Sequence, residues 1–269
     1  MEEWNRVLRS TLDASQRAVP VFFRLDADGV DGGGIRPVAA LFAAAGVPLD
    51  VAMPATLVDL PVADWLQERI GPMLGVHQLG LAGSPVAASM SRAAGMDARG
   101  PRRLRQELAL ARHRLRARLG RKLDPVLSML EGEEPAGLAD ELPALGIRAV
   151  CGVDDQPLTS RRTSPQRLPV TLEWARLRRH GTIDRAGLAA LLSAQFRGAR
   201  RVGIHLSETR LQSDDLPLLR ALLQVLRSHL AVDCLSMRDL VALAPAPAVR
   251  APVALARPAS YGRLLIPLS

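Results

Sequence analysis

The stretch VFFRLDADGVDGGG, residues 21–34, decides the fold of this 269-residue chain. An apolar run that only Arg24 interrupts ends in Asp26, and two further acids, Asp28 and Asp31, follow among glycines. This pattern is typical of a buried strand that ends in an acidic turn. Asp26 is expected to lie deep, and a deep carboxylate needs bonding partners. We assign Arg24 to the opposite face of the strand and do not expect it to be that partner.

The rest of the chain alternates short apolar runs with segments of helical period, which indicates repeated βα units and a mostly parallel sheet. Eight strands are predicted, at residues 19–25, 49–54, 72–78, 124–130, 147–153, 168–174, 201–207 and 231–236. The strongest helix prediction is DLPLLRALLQVLRSHL, residues 215–230. These elements predict a single-domain α/β protein, a regular or distorted (β/α) barrel, with a doubly wound open sheet as the alternative.

The predicted domain organisation has three parts. An N-terminal helix covers residues 1–18, the barrel covers 19–243, and an Ala/Pro-rich tail covers 244–269. Hydrophobic residues make up 48% of the chain and aromatic residues only 3%, so leucine, valine and alanine must fill the core. We find neither a secretory signal nor a transmembrane run, and two distant cysteines indicate no disulfide framework, so we expect a cytoplasmic protein.

The net charge of +8 raises the question of a nucleic-acid partner. Much of the charge lies in a predicted helix at residues 101–122, where arginines surround leucines that recur at helical spacing. This helix is either an interaction surface or, as we favour, a solvated face above one buried leucine stripe. The aromatic side chains that stack on single-stranded nucleic acids are nearly absent, so we do not expect a nucleic-acid partner.

Ligands of both candidate folds bind at the carboxyl ends of the strands. The polar residues predicted to lie there are Asp26, Asp28, Asp31, His77, Gln78, Glu131, Glu133, Glu134, Asp154, Asp155, Glu173, His205, Ser207 and Glu208. Converging carboxylates and histidines could ligate a divalent metal or perform acid–base chemistry. The structural alternatives are Asx-turns for the acids after Asp26 and hydrogen-bonded core positions for the histidines. Neither a Walker lysine nor a G-x-S-x-G motif is present.

Four segments in chain order resemble the polysaccharide deacetylase-like (NodB-homology) family. FFRLDADGVDGGGIRPVAALFAAAGVPLDVAMPATLV, residues 22–58, is similar to the opening strand with its Asp-Asp motif, and GVHQLGLAG, residues 75–83, to the motif with two metal-binding histidines. Residues 124–153 resemble the segment that carries the substrate-lining loop, and residues 201–243 the late catalytic histidine strand. The resemblance implies a distorted (β/α) barrel and metal-assisted deacetylation of N-acetylated sugars.

The resemblance also implies roles for individual residues. Asp26 matches the catalytic base and His205 the histidine that protonates the leaving amine. The three metal ligands of the family fall on Ala27, Leu79 and Gly83, none of which has a side-chain donor atom. We therefore expect no metal cofactor; Asp28 and His77 are the fallback ligands for zinc.

Further candidates line the expected ligand cup: Arg24, Gln78, Glu131 and Glu173. From these residues we expect a deacetylase-like domain with a degenerate metal site that binds a sugar, a sugar conjugate or another partner. The alternatives are an active metal-dependent hydrolase with a displaced site and a basic interaction module.

Overall fold

A computed structural model of the chain describes residues 2–80, 101–129, 141–152 and 165–243. The tail at 244–269, Glu131 and Gly83 lie outside these ranges. The helices are α1 Glu3–Asp13, α2 Ile35–Ala45, α3 Pro61–Arg69, α4 Pro101–Leu119, α5 Arg185–Gly198, α6 Leu216–Ser228 and α7 Met237–Leu243. The strands are β1 Val19–Asp26, β2 Leu49–Met53, β3 Leu74–Leu79, β4 Leu123–Ser128, β5 Ala149–Gly152, β6 Gln166–Pro169, β7 Leu172–Glu173, β8 Arg178–Arg179, β9 Thr182–Ile183, β10 Val202–Ser207 and β11 Val232–Cys234.

The main sheet has the order β6-β5-β4-β3-β2-β1-β10-β7, with β11 added beside β1, and its neighbours pair in parallel. The sheet curls and helices surround it, so the fold is a distorted (β/α) barrel in one domain, as predicted. Each of the eight predicted strands is present, with the sixth divided between β6 and β7. The antiparallel pair β8–β9 stands apart from this sheet.

The two faces of β1 show how the core is divided. Phe23 and Leu25 pack in the large cluster between sheet and helices, together with Val38 of α2. Phe22 belongs to a smaller cluster on the inner face of the curl, with Val126 and Met237 among its members. Because side chains of a strand alternate between faces, the residues that share the inner face with Phe22 are Arg24 and Asp26. This alternation places the acid of the opening stretch inside the barrel.

The basic helix α4 buries a narrow stripe and leaves the rest to solvent. Leu108, Leu115 and Leu119 are buried, as the sequence predicted. Its exposed arginines are partly neutralised by carboxylates, in the pairs Arg105–Glu141, Arg114–Asp59 and Arg118–Asp64. These contacts interrupt the positive charge along the helix and count against a continuous nucleic-acid surface. Among the described helices, none is both long and apolar enough to cross a membrane.

Candidate functional site

The inner face at the carboxyl end of β1 is occupied by a buried ion pair. Arg24 Nε lies 2.5 Å from Asp26 Oδ1, and Arg24 Nη2 lies 2.7 Å from Asp26 Oδ2. Both side chains are 1% exposed. The prediction that Arg24 points away from Asp26 is therefore wrong, because residues two apart in a strand share a face. Arg24 is the principal partner of Asp26 and forms a bidentate fork with it.

His205 completes the pair from the neighbouring strand. In the parallel register of β1 and β10, Arg24 lies beside His205, and His205 Nε2 is 3.0 Å from Asp26 Oδ2. The structure thus brings together the two residues whose catalytic roles were inferred from the resemblance. Burial alone would raise the pKa of Asp26, but the charges of Arg24 and His205 outweigh burial and hold it below its ordinary value. Asp26 is consequently an ionised carboxylate of low basicity.

Arg24 also fastens the ends of two further strands. Its Nη1 donates to the carbonyl oxygens of Met129, at 3.1 Å, and Cys151, at 3.3 Å, just after β4 and at the end of β5. Burial raises the pKa of the Cys151 thiol to about 11, which keeps it protonated near neutral pH. Arg24 therefore links β1, β4 and β5 across the interior through its hydrogen bonds.

His77 is a buried and neutral histidine. It is fully enclosed, and its Nε2 lies 2.6 Å from Ser128 Oγ on β4. Burial, reinforced by the charge of Arg24, lowers the pKa of His77 to about 3. Of the two interpretations that the sequence left open for His77, its geometry matches the hydrogen-bonded core histidine.

Asp28 is held in the loop after β1 by hydrogen bonds to the loop after β10. It accepts from Ser207 Oγ at 2.6 Å, from Thr209 N at 3.0 Å and from Thr209 Oγ1 at 2.9 Å. Asp31 accepts from Gly33 N at 2.9 Å, which is the Asx-turn alternative. The glycine-rich loop is thus a structural junction between the ends of β1 and β10.

Glu208, one of the polar residues predicted to follow His205 at the end of its strand, is a member of this junction. Its carboxylate accepts from the backbone N–H groups of Gly29, at 3.1 Å, and Gly34, at 2.7 Å. A side chain on either glycine would collide with it, since a Cβ would lie 2.7 Å from Glu208 atoms in both cases. The space that Glu208 occupies explains the glycines at positions 29 and 34, whereas Gly32 has a positive φ and a Cβ there would meet Val62.

The remaining predicted ligand contacts fall in different places. Gln78 is buried, and its Nε2 donates at 3.2 Å to the carbonyl of Leu108 in α4, so its amide engages the helix layer. Glu173 pairs in register with His205 and forms a salt bridge of 3.0 Å with Arg176 through Oε2. Its other oxygen, Oε1, is buried and has no hydrogen-bond partner in the described part of the chain. Of these two residues, Glu173 is the one that lies beside the Arg24–Asp26–His205 cluster, because its backbone pairs with that of His205.

The residues at this end of the barrel do not fit a divalent metal. Ala27 and Leu79 stand where the family resemblance places ligands; both are buried and apolar. The oxygens of Asp26 are bonded to Arg24 and His205, while those of Asp28 accept from Ser207 and Thr209. Within residues 2–80, 101–129, 141–152 and 165–243, no group of three or more His, Cys, Asp or Glu side chains could hold an ion. Of the fallback pair, Asp28 is thus committed to hydrogen bonds within the protein, whereas His77 bonds Ser128 through Nε2 and its buried Nδ1 has no hydrogen-bond partner among the described residues.

A second acidic cluster, which sequence reasoning did not identify, lies at the opposite end of the barrel. Asp50 and Asp124, each the second residue of its strand, are 0% and 3% exposed. Asp50 Oδ2 accepts from Met237 N at 2.8 Å, and Asp124 Oδ1 lies 2.5 Å from Arg238 Nε. Asp50 Oδ1 and Asp124 Oδ2 are both buried without a hydrogen-bond partner among the residues that the structure describes.

These two unbonded oxygens meet above Gly75 on the intervening strand. A Cβ at Gly75 would lie 2.2 Å from Asp50 Oδ1 and 2.9 Å from Asp124 Oδ2, so only glycine leaves room for both. Burial is the main cause that raises the pKa of Asp50 to about 8, and the charge of Asp124 raises it further. The hydrogen bond from Met237 N–H acts in the opposite direction. Asp50 is therefore protonated near neutral pH.

The comparisons with known proteins bear on the fold. No family model matches the sequence, and no curated protein matches it. Among solved structures, a family 4 carbohydrate esterase from Streptomyces lividans in complex with acetate is similar, with a TM-score of 0.52 and 12% identity over 83% of this chain and 94% of that one. A protein of Bordetella bronchiseptica, described as a polysaccharide deacetylase involved in O-antigen biosynthesis, gives a TM-score of 0.45 and 14% identity over 82% and 89%. The first of these similarities shows that the chain has the fold of a family 4 carbohydrate esterase.

Proposed function

We propose that this chain is a deacetylase-like domain without deacetylase activity, and that its inner cup binds a sugar or a sugar conjugate. One observation carries the proposal: the carboxylate of Asp26 is bonded to Arg24 through both oxygens and to His205 as well. A general base must accept a proton from water in the reaction, and its pKa should lie near the working pH. The low pKa and full bonding of Asp26 oppose that role.

The side chains available as metal ligands also argue against the metal-assisted reaction. The reaction that the fold suggests requires an ion with three protein ligands and an open position. Ala27 and Leu79 supply none, and Asp28 is bonded to Ser207 and Thr209. An active hydrolase with a displaced site is therefore the less favoured alternative.

Binding of a sugar is supported by the groups beside the ion pair. The Glu173 side chain is 13% exposed, and its carboxylate can accept a hydrogen bond from a sugar hydroxyl. His205 is partly exposed, with its Nε2 toward Asp26, and its Nδ1 makes no hydrogen bond within the described ranges. The two residues lie side by side on neighbouring strands, which suits contact with adjacent hydroxyls. Arg24 fixes the carboxylate of Asp26, and Asp26 in turn holds the imidazole of His205 in place.

Two measurements on the purified protein test the proposal. Acetate release from acetylated amino-sugar oligomers, with zinc added, should equal the background without protein. Acetate release above background that disappears in Asp26→Asn would overturn the non-catalytic assignment.

Calorimetric titration with N-acetylglucosamine tetramer tests the binding. We expect Glu173→Gln to weaken it about tenfold, the usual effect of losing a hydrogen bond to a charged group. Glu68→Gln, at an exposed position on α3, is the matched control and should bind like the unmodified protein. Absence of titratable binding, or equal affinities of all three proteins, would refute the sugar-binding assignment.

A further inference from the structure

A second concave site lies in the outer helical layer, away from the inner cup. Residues 220–228 of α6, the end of α2 and Arg9 of α1 border an open cavity of about 480 Å³. This volume is within the range of sites for small ligands. Its lining consists of Arg9, Leu41, Ala44, Ala45, Arg220, Gln224, Arg227 and Ser228. Three of these residues are arginines, and none of the described residues that line the cavity is acidic.

The positions on α6 follow from its amphipathic pattern. Arg220, Gln224 and Arg227 are four and three residues apart, so they share the face opposite the buried leucines. Within the described part of the chain, neither Arg220 nor Arg227 forms an ion pair or a hydrogen bond. Arg9 donates through Nε to Asn5 Oδ1 at 2.9 Å, which leaves its two terminal amino groups available.

Like charges that converge without a counter-charge repel one another, and a bound anion relieves this repulsion. Guanidinium groups bind phosphate oxygens through paired N–H donors, and three of them suit a dianion better than a single carboxylate. Leu41, Ala44 and Ala45 provide an apolar wall for the remainder of the ligand. We propose that this groove, defined by Arg9, Arg220 and Arg227, binds a small soluble phosphate monoester.

Calorimetric titration at low ionic strength tests this site, with glucose 6-phosphate as probe and glucose as the uncharged control. We expect binding of the phosphate ester alone and a loss of affinity of at least tenfold in the double variant Arg220→Gln/Arg227→Gln. Binding should also weaken when salt is raised, because the groove is open to solvent. Both arginines are exposed, so the double variant should keep the circular dichroism spectrum of the unmodified protein.

The matched control is Arg197→Gln, which removes an exposed arginine of α5 that does not line the groove. It should bind glucose 6-phosphate with unchanged affinity. Equal losses in the control and the double variant would overturn the proposal, because the effect would then reflect net charge alone. No binding of glucose 6-phosphate, or binding only to vesicles that contain phosphatidic acid, would also overturn it.

Discussion

The two ends of the barrel each bury acidic side chains, but they satisfy them by different means. At the carboxyl end, Asp26 is matched by the guanidinium of Arg24 and by His205, and its pKa lies below the ordinary value. At the amino end, Asp50 and Asp124 turn one oxygen each toward the space above Gly75, and the pKa of Asp50 rises to about 8.

This difference shows that burial alone does not decide the charge of an acid. Desolvation favours the neutral form at both ends, and the buried guanidinium of Arg24 reverses its effect on Asp26. At the amino end, the half-exposed Arg238 contacts Asp124 rather than Asp50, and burial still raises the pKa of Asp124 above its ordinary value. The contrast can be tested at each end.

Removal of the cation from the carboxyl end should have the largest effect. Arg24→Met leaves Asp26 buried with His205 as its remaining partner and removes the tie to Met129 and Cys151. Loss of one member of a buried pair typically costs about 3–5 kcal/mol of unfolding free energy. Urea denaturation measures this loss.

The double variant Arg24→Met/Asp26→Leu is the control, because it removes both charges together. We expect it to recover part of the lost stability, as apolar replacements of buried pairs often do. If the single variant is as stable as the unmodified protein, the ion pair does not hold the carboxyl end together.

Crowding at the amino end should have an intermediate effect. Gly75→Ala places a methyl group against the two unbonded oxygens, which must move apart. Overpacking of this kind costs about 1–3 kcal/mol. Gly198→Ala is the matched control, since its Cβ would meet no atom within 4 Å at the end of α5. Equal stability of the two variants in thermal or urea unfolding would contradict the arrangement above Gly75.

The protonation of Asp50 should produce the smallest and most specific effect. The folded protein keeps this proton up to about pH 8, whereas the unfolded chain releases it near the ordinary pKa of 3.8. The folded state thus binds more protons in this window, and its unfolding free energy falls as pH rises. This contribution has a slope of at most about 1.4 kcal/mol per pH unit.

Asp50→Asn removes the titration and keeps the shape of the side chain. We expect the unfolding free energy of this variant to decline less with pH than that of the unmodified protein. Urea denaturation at a series of pH values from about 5 to about 8 measures both. Asp214→Asn, at an exposed acid before α6, should retain the original slope. Parallel curves for Asp50→Asn and the unmodified protein would refute the assignment of the proton to Asp50.

Much of the fold could be predicted because local patterns specify it. The apolar run before Asp26 predicted β1, and the leucine spacing in residues 215–230 predicted α6. The buried stripe of α4 followed from the same helical period. The site was less accessible to such reasoning. The two-residue spacing of Arg24 and Asp26 is enough to predict that their side chains share a face of β1, although the sequence analysis placed them on opposite faces.

Other contacts carry no signal in the sequence. Glu208 lies 174 residues along the chain from Gly34, and nothing in a glycine run identifies a distant acceptor. Asp50 and Asp124 are separated by β3 and by α3 and α4, so their approach depends on the register of three strands. The bonding of Asp28 to Ser207 and Thr209 likewise requires β1 and β10 to be neighbours.

The sequence by itself determined the order of strands and helices, the face on which each core residue lies, and the absence of donor atoms at Ala27, Leu79 and Gly83. These properties depend on periodicity and residue type, which are local. The tertiary structure alone decided which acids obtain a cation, which remain protonated, and that three arginines from α1 and α6 surround one cavity. The physical reason is that charge state depends on desolvation and on the distance between groups, and both are set by parts of the chain that meet only after folding.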